Sequence, residues 1–240
     1  MLKKPFPFAF PVFFGILPPK RLVMIINLSD TNSLVGEWLS EIRSMEIQTD
    51  RMRFRRNMER LGEVAAFEIS KTLEYEEKEV QTPLGIATCR VLKQQPVLAT
   101  ILRAGLALHQ GLLHYYDKAD HAFISAYRKH NRDGSFDISL EYVSSPSIED
   151  QVVILSDPML ATGASLLKTI EHLTDLGKPK HIHLVVAIAC TIGIEYVQRH
   201  ASTNISIWAG DIDDELTAKG YIVPGLGDAG DLAFGNKLQS

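Results

Sequence analysis

Cysteine is scarce in this sequence, and its two copies, Cys89 and Cys190, stand far apart. No CxxC pair and no histidine at metal-ligand spacing accompanies either one, so neither a zinc site nor a disulfide framework is indicated. A reducing cytoplasm is the simplest compartment, with both thiols expected as small buried hydrophobes. Positive charge is in short supply too: 25 Lys and Arg against 29 Asp and Glu leave a formal net charge of -4. That balance carries no general footprint for nucleic acid, and none is expected as a partner. A polyanionic ligand would instead need a local concentration of cations and backbone N–H groups.

Long apolar runs are missing. The nearest approach, Phe6 to Leu17 behind Lys3 and Lys4, is too short to span a bilayer. Pro7 and Pro11 interrupt it, Pro5 precedes it, and no small-residue cleavage site follows, so it imitates a signal peptide without completing one. No membrane partner is expected. Met24-Ile25-Ile26-Asn27-Leu28 reads as the natural opening of a soluble protein. Residues 1–23 are therefore expected to be a disordered or non-native extension, and residues 24–240 a single domain. Internal repeats and low-complexity tracts are also lacking. What remains is ordinary globular composition, with 45% hydrophobic and 22% charged residues in a 240-residue chain, long enough for one sizeable core.

Leu34, Trp38, Leu39 and Ile42, then Leu61, Val64, Ala65 and Ile69, recur at helical spacing and predict two helices between Asn32 and Lys71. Arg51, Arg53, Arg55, Arg56 and Arg60 crowd the second helix, but Asp50, Glu59, Glu63 and Glu68 are interspersed. A salt-bridged face or a subunit contact is the better reading than a nucleic-acid patch. A turn around Pro83 and Gly85 predicts a hairpin. Beyond it, strands are expected at Val97 to Leu102, His121 to Tyr127, Val152 to Leu155 and His181 to Ala189, with helices after the first and third. Such apolar strands alternating with helices argue for an α/β fold with a parallel sheet. The polar stretch Arg128 to Gly134 reads as a mobile loop leading into a strand at Phe136 to Val143. Asp211 to Gly235 is aperiodic and rich in Gly and Asp, which suits a functional loop.

The sharpest local signal is the segment Val152 to Ser165. An apolar strand ends at Asp157, a short loop follows, and Thr162-Gly163 leads into a helix. The loop N–H groups and the positive helix end suit a phosphate monoester, while Asp157 stands where ligands meet open α/β sheets. A plain strand-to-helix connection with Ser/Thr capping remains equally open on these residues alone. The loop is not of the Walker type, because no Gly-Lys pair precedes the hydroxyl residue. His181 and His183 alternate on a strand and read as a packed pair, not as metal ligands.

The string Asp157-Pro158-Met159-Leu160-Ala161-Thr162-Gly163-Ala164-Ser165 resembles the phosphoribosyl diphosphate (PRPP) loop of the uracil phosphoribosyltransferase family, with Ala164 in place of a Gly. Gly220 to Asp231 is similar to that family's uracil-binding segment, Ile101 to Leu106 to its diphosphate loop, and Tyr127-Arg128 to the Arg of its flexible arm. The strings fall in family order between about Leu34 and Gly235. The resemblance implies a type I phosphoribosyltransferase fold: a parallel sheet core flanked by helices, with a small hood and a flexible β-arm. It implies a glycosyltransferase, specifically a pentosyltransferase of pyrimidine salvage, that makes UMP from uracil and PRPP.

Arg103 and Arg128 would contact the diphosphate and Asp157 to Ser165 the ribose 5-phosphate. Ile222, Gly227 and Ala229 would hold uracil through backbone groups, with Asp228 bordering uracil and facing PRPP. Arg103, Asp157 and Asp228 are the expected catalytic residues. Mg2+ would arrive as Mg-PRPP, since no dedicated carboxylate cage is visible. A homo-oligomer, dimer or tetramer, and a GTP effector with allosteric activation are also implied. So is a non-proline cis peptide at Leu102 to Arg103. Ala164 is tolerable there if it takes helical dihedrals. Leu232 and Asn236 depart from the family's usual Arg and Thr and bear on hood packing, and Asp231 is expected to serve packing alone. An RNA-binding regulator on the same fold, an enzyme for another base and an inactive, ligand-sensing homologue are the rival readings.

Overall fold

The computed structural model describes residues 23–130 and 136–238. The extension expected before Met24 thus lies almost wholly outside the described residues, as do Asn131 to Gly134 of the expected mobile loop.

The chain opens with β1 (Met24–Asn27), α1 (Leu34–Arg43) and α2 (Arg51–Ser70). Side-chain oxygens fix both helix starts: Ser33 accepts from the N–H of Val35, and Asp50 from those of Met52 and Arg53. A hairpin of β2 (Tyr75–Thr82) and β3 (Gly85–Leu92) follows at the predicted turn, then β4 (Val97–Leu102), α3 (Leu106–Leu113), β5 (His121–His130) and β6 (Phe136–Ser144). The second half runs β7 (Val152–Ser156), β8 (Met159–Leu160), α4 (Ala164–Thr174), β9 (His181–Cys190), α5 (Thr191–His200) and β10 (Ile205–Asp213). It closes with β11 (Glu215–Leu216), β12 (Ile222–Val223) and α6 (Ala229–Phe234).

The main sheet has the order β1-β10-β9-β7-β4-β5-β6, and β8 adds to β9. Every pairing in it is parallel except β5 with β6. The expected α/β class with a parallel core is therefore correct. Alternation along β9 shows how both faces are covered. Ile182, Leu184 and Val186 enter the core beneath α4 and α5, with Leu166, Ile170, Ile194 and Val197. Val185 and Ala187 face the core beneath α1 to α3, with Ile42, Phe54, Leu61 and Leu108.

Several expectations need correction. Arg128 belongs to β5, where it pairs in register with Ile138, and not to a loop. The tail is not wholly aperiodic, because β11 and β12 form a small antiparallel ribbon and α6 ends it. Cys190 is buried, but Cys89 is exposed on the projecting hairpin. Four of the five α2 arginines, Arg53, Arg55, Arg56 and Arg60, bond to neighbours, and Arg56 pairs with the interspersed acids Glu59 and Glu63. Arg53 pairs with Glu41, Arg56 with Glu59 at 2.9 Å, and Arg55 donates to Ala233 O at 2.7 Å. His181 donates to or accepts from Ser206 Oγ, and Trp208 Nε1 donates to His183 Nδ1, so the histidine pair is packed into the sheet. Among the described residues, no helix is long and apolar enough to cross a membrane.

Candidate active site

Because the central strands are parallel, their carboxyl ends share one edge, and the loops leaving them converge there. After β7, Asp157 gives its N–H to Val185 O at 3.1 Å, and Pro158 O accepts from both Ala187 and Ile188 at 3.0 Å. Met159 and Leu160 then pair with Ile188 and Ala189 as β8. These bonds pin the loop to β9 before it turns into α4. Gly163 makes that turn with φ +79, and a side chain there would sit 2.8 Å from Gly193 O at the start of α5. Ala164 opens the helix, so the residue that replaces the family's Gly does have helical geometry.

No side chain caps α4 at its N-terminus. The first-turn N–H groups are left for another acceptor, at the positive end of the helix dipole. Ser165 Oγ is buried there with no hydrogen-bond partner, and a buried hydroxyl without a partner is costly unless a ligand supplies one. Backbone amides, an orphan hydroxyl and Thr162 together make a cluster of donors suited to the oxygens of an anion.

The loop after β4 carries Arg103, and the Leu102–Arg103 peptide bond is cis, as the resemblance implies. Arg103 Nη2 donates to Asp231 Oδ1 at 2.7 Å and to Gly235 O at 2.6 Å. This brings the loop after β4 against α6 and the residue that ends it. Asp228 caps α6 by accepting from the N–H of Asp231 at 3.0 Å, and its other oxygen takes Lys237 Nζ at 3.1 Å. Burial raises the Asp228 pKa, but the Asp231 amide and the Lys237 ammonium outweigh it, holding the carboxyl below its usual range. Ile222 and Ala229 are buried, Gly227 is exposed with φ +93, and a side chain at Gly227 would meet open space. The hood touches the phosphate loop where Gly220 approaches Thr162.

Arg103, Asp157 to Ser165, Ile222 and Gly227 to Ala229 thus share one edge of the sheet. Arg128 reaches it through the backbone of β5, but its side chain lies outside the described residues. Leu232 packs on the core, so this departure from the usual Arg serves hood packing. Asp231, Gly235 and Lys237 at Arg103 and Asp228 were not among the expected site residues, and neither was Arg43, which bonds the hood at Gly225. For Asp231 the signal was its place at the end of the resemblant segment. For Arg43 no local signal exists.

A family model described as uracil phosphoribosyltransferase matches residues 29–236. The chain is 50% identical over 214 residues to the uracil phosphoribosyltransferase of Porphyromonas gingivalis, covering 89% of this chain and 99% of that protein. It is 35% identical to the uracil phosphoribosyltransferase of Thermococcus gammatolerans, with 88% and 93% covered. Among solved structures, the AQ2163 protein from Aquifex aeolicus is similar with a TM-score of 0.78 and 29% identity, covering 90% of this chain and all of that one.

Proposed function

The chain belongs to the uracil phosphoribosyltransferase family, and on that premise we propose that it makes UMP and diphosphate from uracil and PRPP, as a salvage pentosyltransferase. The observation that carries the reading is the uncapped α4 N-terminus with the unpartnered Ser165 hydroxyl, with open space at Gly227 in the hood. A bond forms between uracil N1 and the ribose anomeric carbon. The bond from that carbon to the diphosphate oxygen breaks, the electron pair leaves with diphosphate, and the N1 proton passes to solvent or a nearby base. Positive charge develops on the sugar, so the protein contributes mainly positioning and electrostatics.

Residues Asp157 to Ser165 take the ribose 5-phosphate, with Pro158 to Leu160 holding the loop's shape and Thr162 and Ser165 donating hydroxyls. The Asp157 carboxylate accepts from ribose hydroxyls. Arg103 and Arg128 meet the diphosphate, where a guanidinium stays charged and forks onto two oxygens. Both Nη2 hydrogens of Arg103 are taken by Asp231 and Gly235, which leaves Nη1 and Nε for the ligand. Ile222, Gly227 and Ala229 recognise the planar imide through backbone groups, so cytosine would leave one of them unpaired. Asp228 polarises a ribose hydroxyl or a metal-bound water.

Carboxylates suit a hard cation, and Asp157 and Asp228 are those that would meet Mg2+ carried on PRPP. Bound there, the ion would neutralise charge on the leaving diphosphate. The ion would be delivered with the substrate as Mg-PRPP. We also place the enzyme in the cytoplasm, as a dimer or tetramer, with residues 1–23 as an extension outside a single domain. The exposed hairpin residues Val80, Leu84 and Ile86 support self-association. A GTP effector rests on the family resemblance alone.

The test is UMP formation from radiolabelled uracil and Mg-PRPP, with hypoxanthine, cytosine and orotate as competitors, and with and without GTP. Uracil use that resists all three competitors is the expected result. Failure to make UMP, or preference for a competitor, overturns the assignment.

A further inference from the structure

Arg43 is the last residue of α1 and lies far in sequence from the hood. Its Nη1 donates to Asp213 Oδ2 at 2.8 Å and to Gly225 O at 2.9 Å, while Nη2 donates to Asp211 Oδ2 at 2.8 Å and Asp213 Oδ1 at 2.9 Å. Asp211 and Asp213 lie on one face of β10, two residues apart. Asp213 Oδ2 also accepts the N–H of Gly225 at 2.9 Å, and Ser29 Oγ steadies Asp211 at 3.0 Å. Both backbone groups of Gly225 are thereby committed, the N–H to Asp213 and the carbonyl to Arg43. Gly225 itself has φ +58, and a side chain would crowd Ile222 backbone atoms. It sits between Ile222 and Gly227, the two backbone positions assigned to the base.

We propose that Arg43 is a positioning residue for uracil, holding Gly225 against Asp213 so that the backbone of Ile222 and Gly227 keeps the spacing the base requires. The inference rests on the uracil reading of that segment. Arg43 does not touch the ligand. It acts by fixing the one turn that joins the two recognising positions. The side chains are well protected, Arg43 at 19% and Asp213 at 6% exposure. Water therefore cannot replace the clamp at low cost, and a guanidinium is needed because an ammonium cannot fork across two carboxylates and a carbonyl. A recognition surface made of backbone is only as selective as that backbone is fixed, since a loose turn can pair with a mismatched base.

The experiment compares Arg43→Lys and Asp211→Asn with the unaltered protein, measuring kcat, the KM for uracil and for PRPP, cytosine competition and Tm. Arg43→Lys should raise the uracil KM roughly tenfold or more, as expected for losing charge-assisted hydrogen bonds, with the PRPP KM within about twofold. Cytosine should compete better than before. Asp211→Asn removes only the outer pair and should shift uracil KM in the same direction by less, which keeps the test decisive if Arg43→Lys fails to fold. An unchanged uracil KM in a folded variant, or equal rises for uracil and PRPP, overturns the role of Arg43. The unaltered protein separates the two ideas: if it makes no UMP the base assignment fails and the inference with it, whereas normal UMP formation alongside unmoved variants defeats the inference alone.

Discussion

The Arg103 guanidinium is held by the Asp231 carboxylate at 2.7 Å, and the same Nη2 reaches Gly235 O at 2.6 Å. This ties the loop after β4 to α6 and sets which edge of the guanidinium can meet a ligand. It also gives Asp231, expected to serve packing alone, a charged partner in Arg103.

Asp231→Asn should therefore raise the PRPP KM more than the uracil KM, by roughly three- to tenfold, because the amide keeps the shape but loses the charge that orients Arg103. Stability should change by less than about 1 kcal/mol, since both side chains are about a third exposed and screened by water. Steady-state kinetics with a melting curve check this. A Tm drop with an unmoved PRPP KM would return Asp231 to a packing role.

Asp228→Asn should lower turnover by roughly a hundredfold or more, the usual scale for one charged interaction in a water-poor site. Asparagine caps helices about as well as aspartate, so α6 should stay folded even though the Asp231 N–H now meets an amide oxygen. Asp157→Asn should act in the same direction through the ribose hydroxyls. If Asp228→Asn turned over normally and lost only uracil affinity, its carboxylate would not serve the phosphoribosyl side.

Two buried histidines make the fold sensitive to acid. Burial, with His121 adjacent, lowers His109 to about 4, and burial, with His181 adjacent, lowers His183 to about 3. In the unfolded chain both titrate near about 6.5. Between these values the unfolded state holds protons that the folded state refuses, so stability falls as pH drops from about 6.5 toward about 4, by at most about 1.4 kcal/mol per pH unit per histidine. Calorimetry at pH 7 and pH 5 should show a falling Tm. The fall should be shallower in a His109→Gln, His183→Gln variant, and an identical slope would show that carboxylates alone set it.

A chain beginning at Met24 should keep its Tm within a few degrees and its turnover unchanged. β1 starts at Met24 and pairs in parallel with Ser206 to Ala209 through its own backbone, and nothing before it resembles the family. Loss of activity in the shortened protein would show that the leading residues take part in the fold.

Local pattern was enough to place the core strands and the loop that enters α4. The apolar run Val97 to Leu102 is β4 residue for residue, and Asp157 to Ser165 holds the passage from β7 into α4 within nine consecutive positions. A strand buried on both faces or a loop entering a helix leaves its mark on neighbouring residues, so sequence alone determined them. The strand His121 to Tyr127 was read short by three residues because Arg128 to His130 are polar, and polarity says nothing about backbone pairing with β6. Cys89 is exposed where burial is expected, because burial depends on whether a hairpin packs or projects. Arg103 with Asp231 joins positions 128 apart, and Arg43 with Gly225 joins positions 182 apart. No window of sequence contains either pair. Only the tertiary structure, by closing those long loops around one sheet edge, decided which acid pairs with Arg103 and which arginine bonds the turn at Gly225.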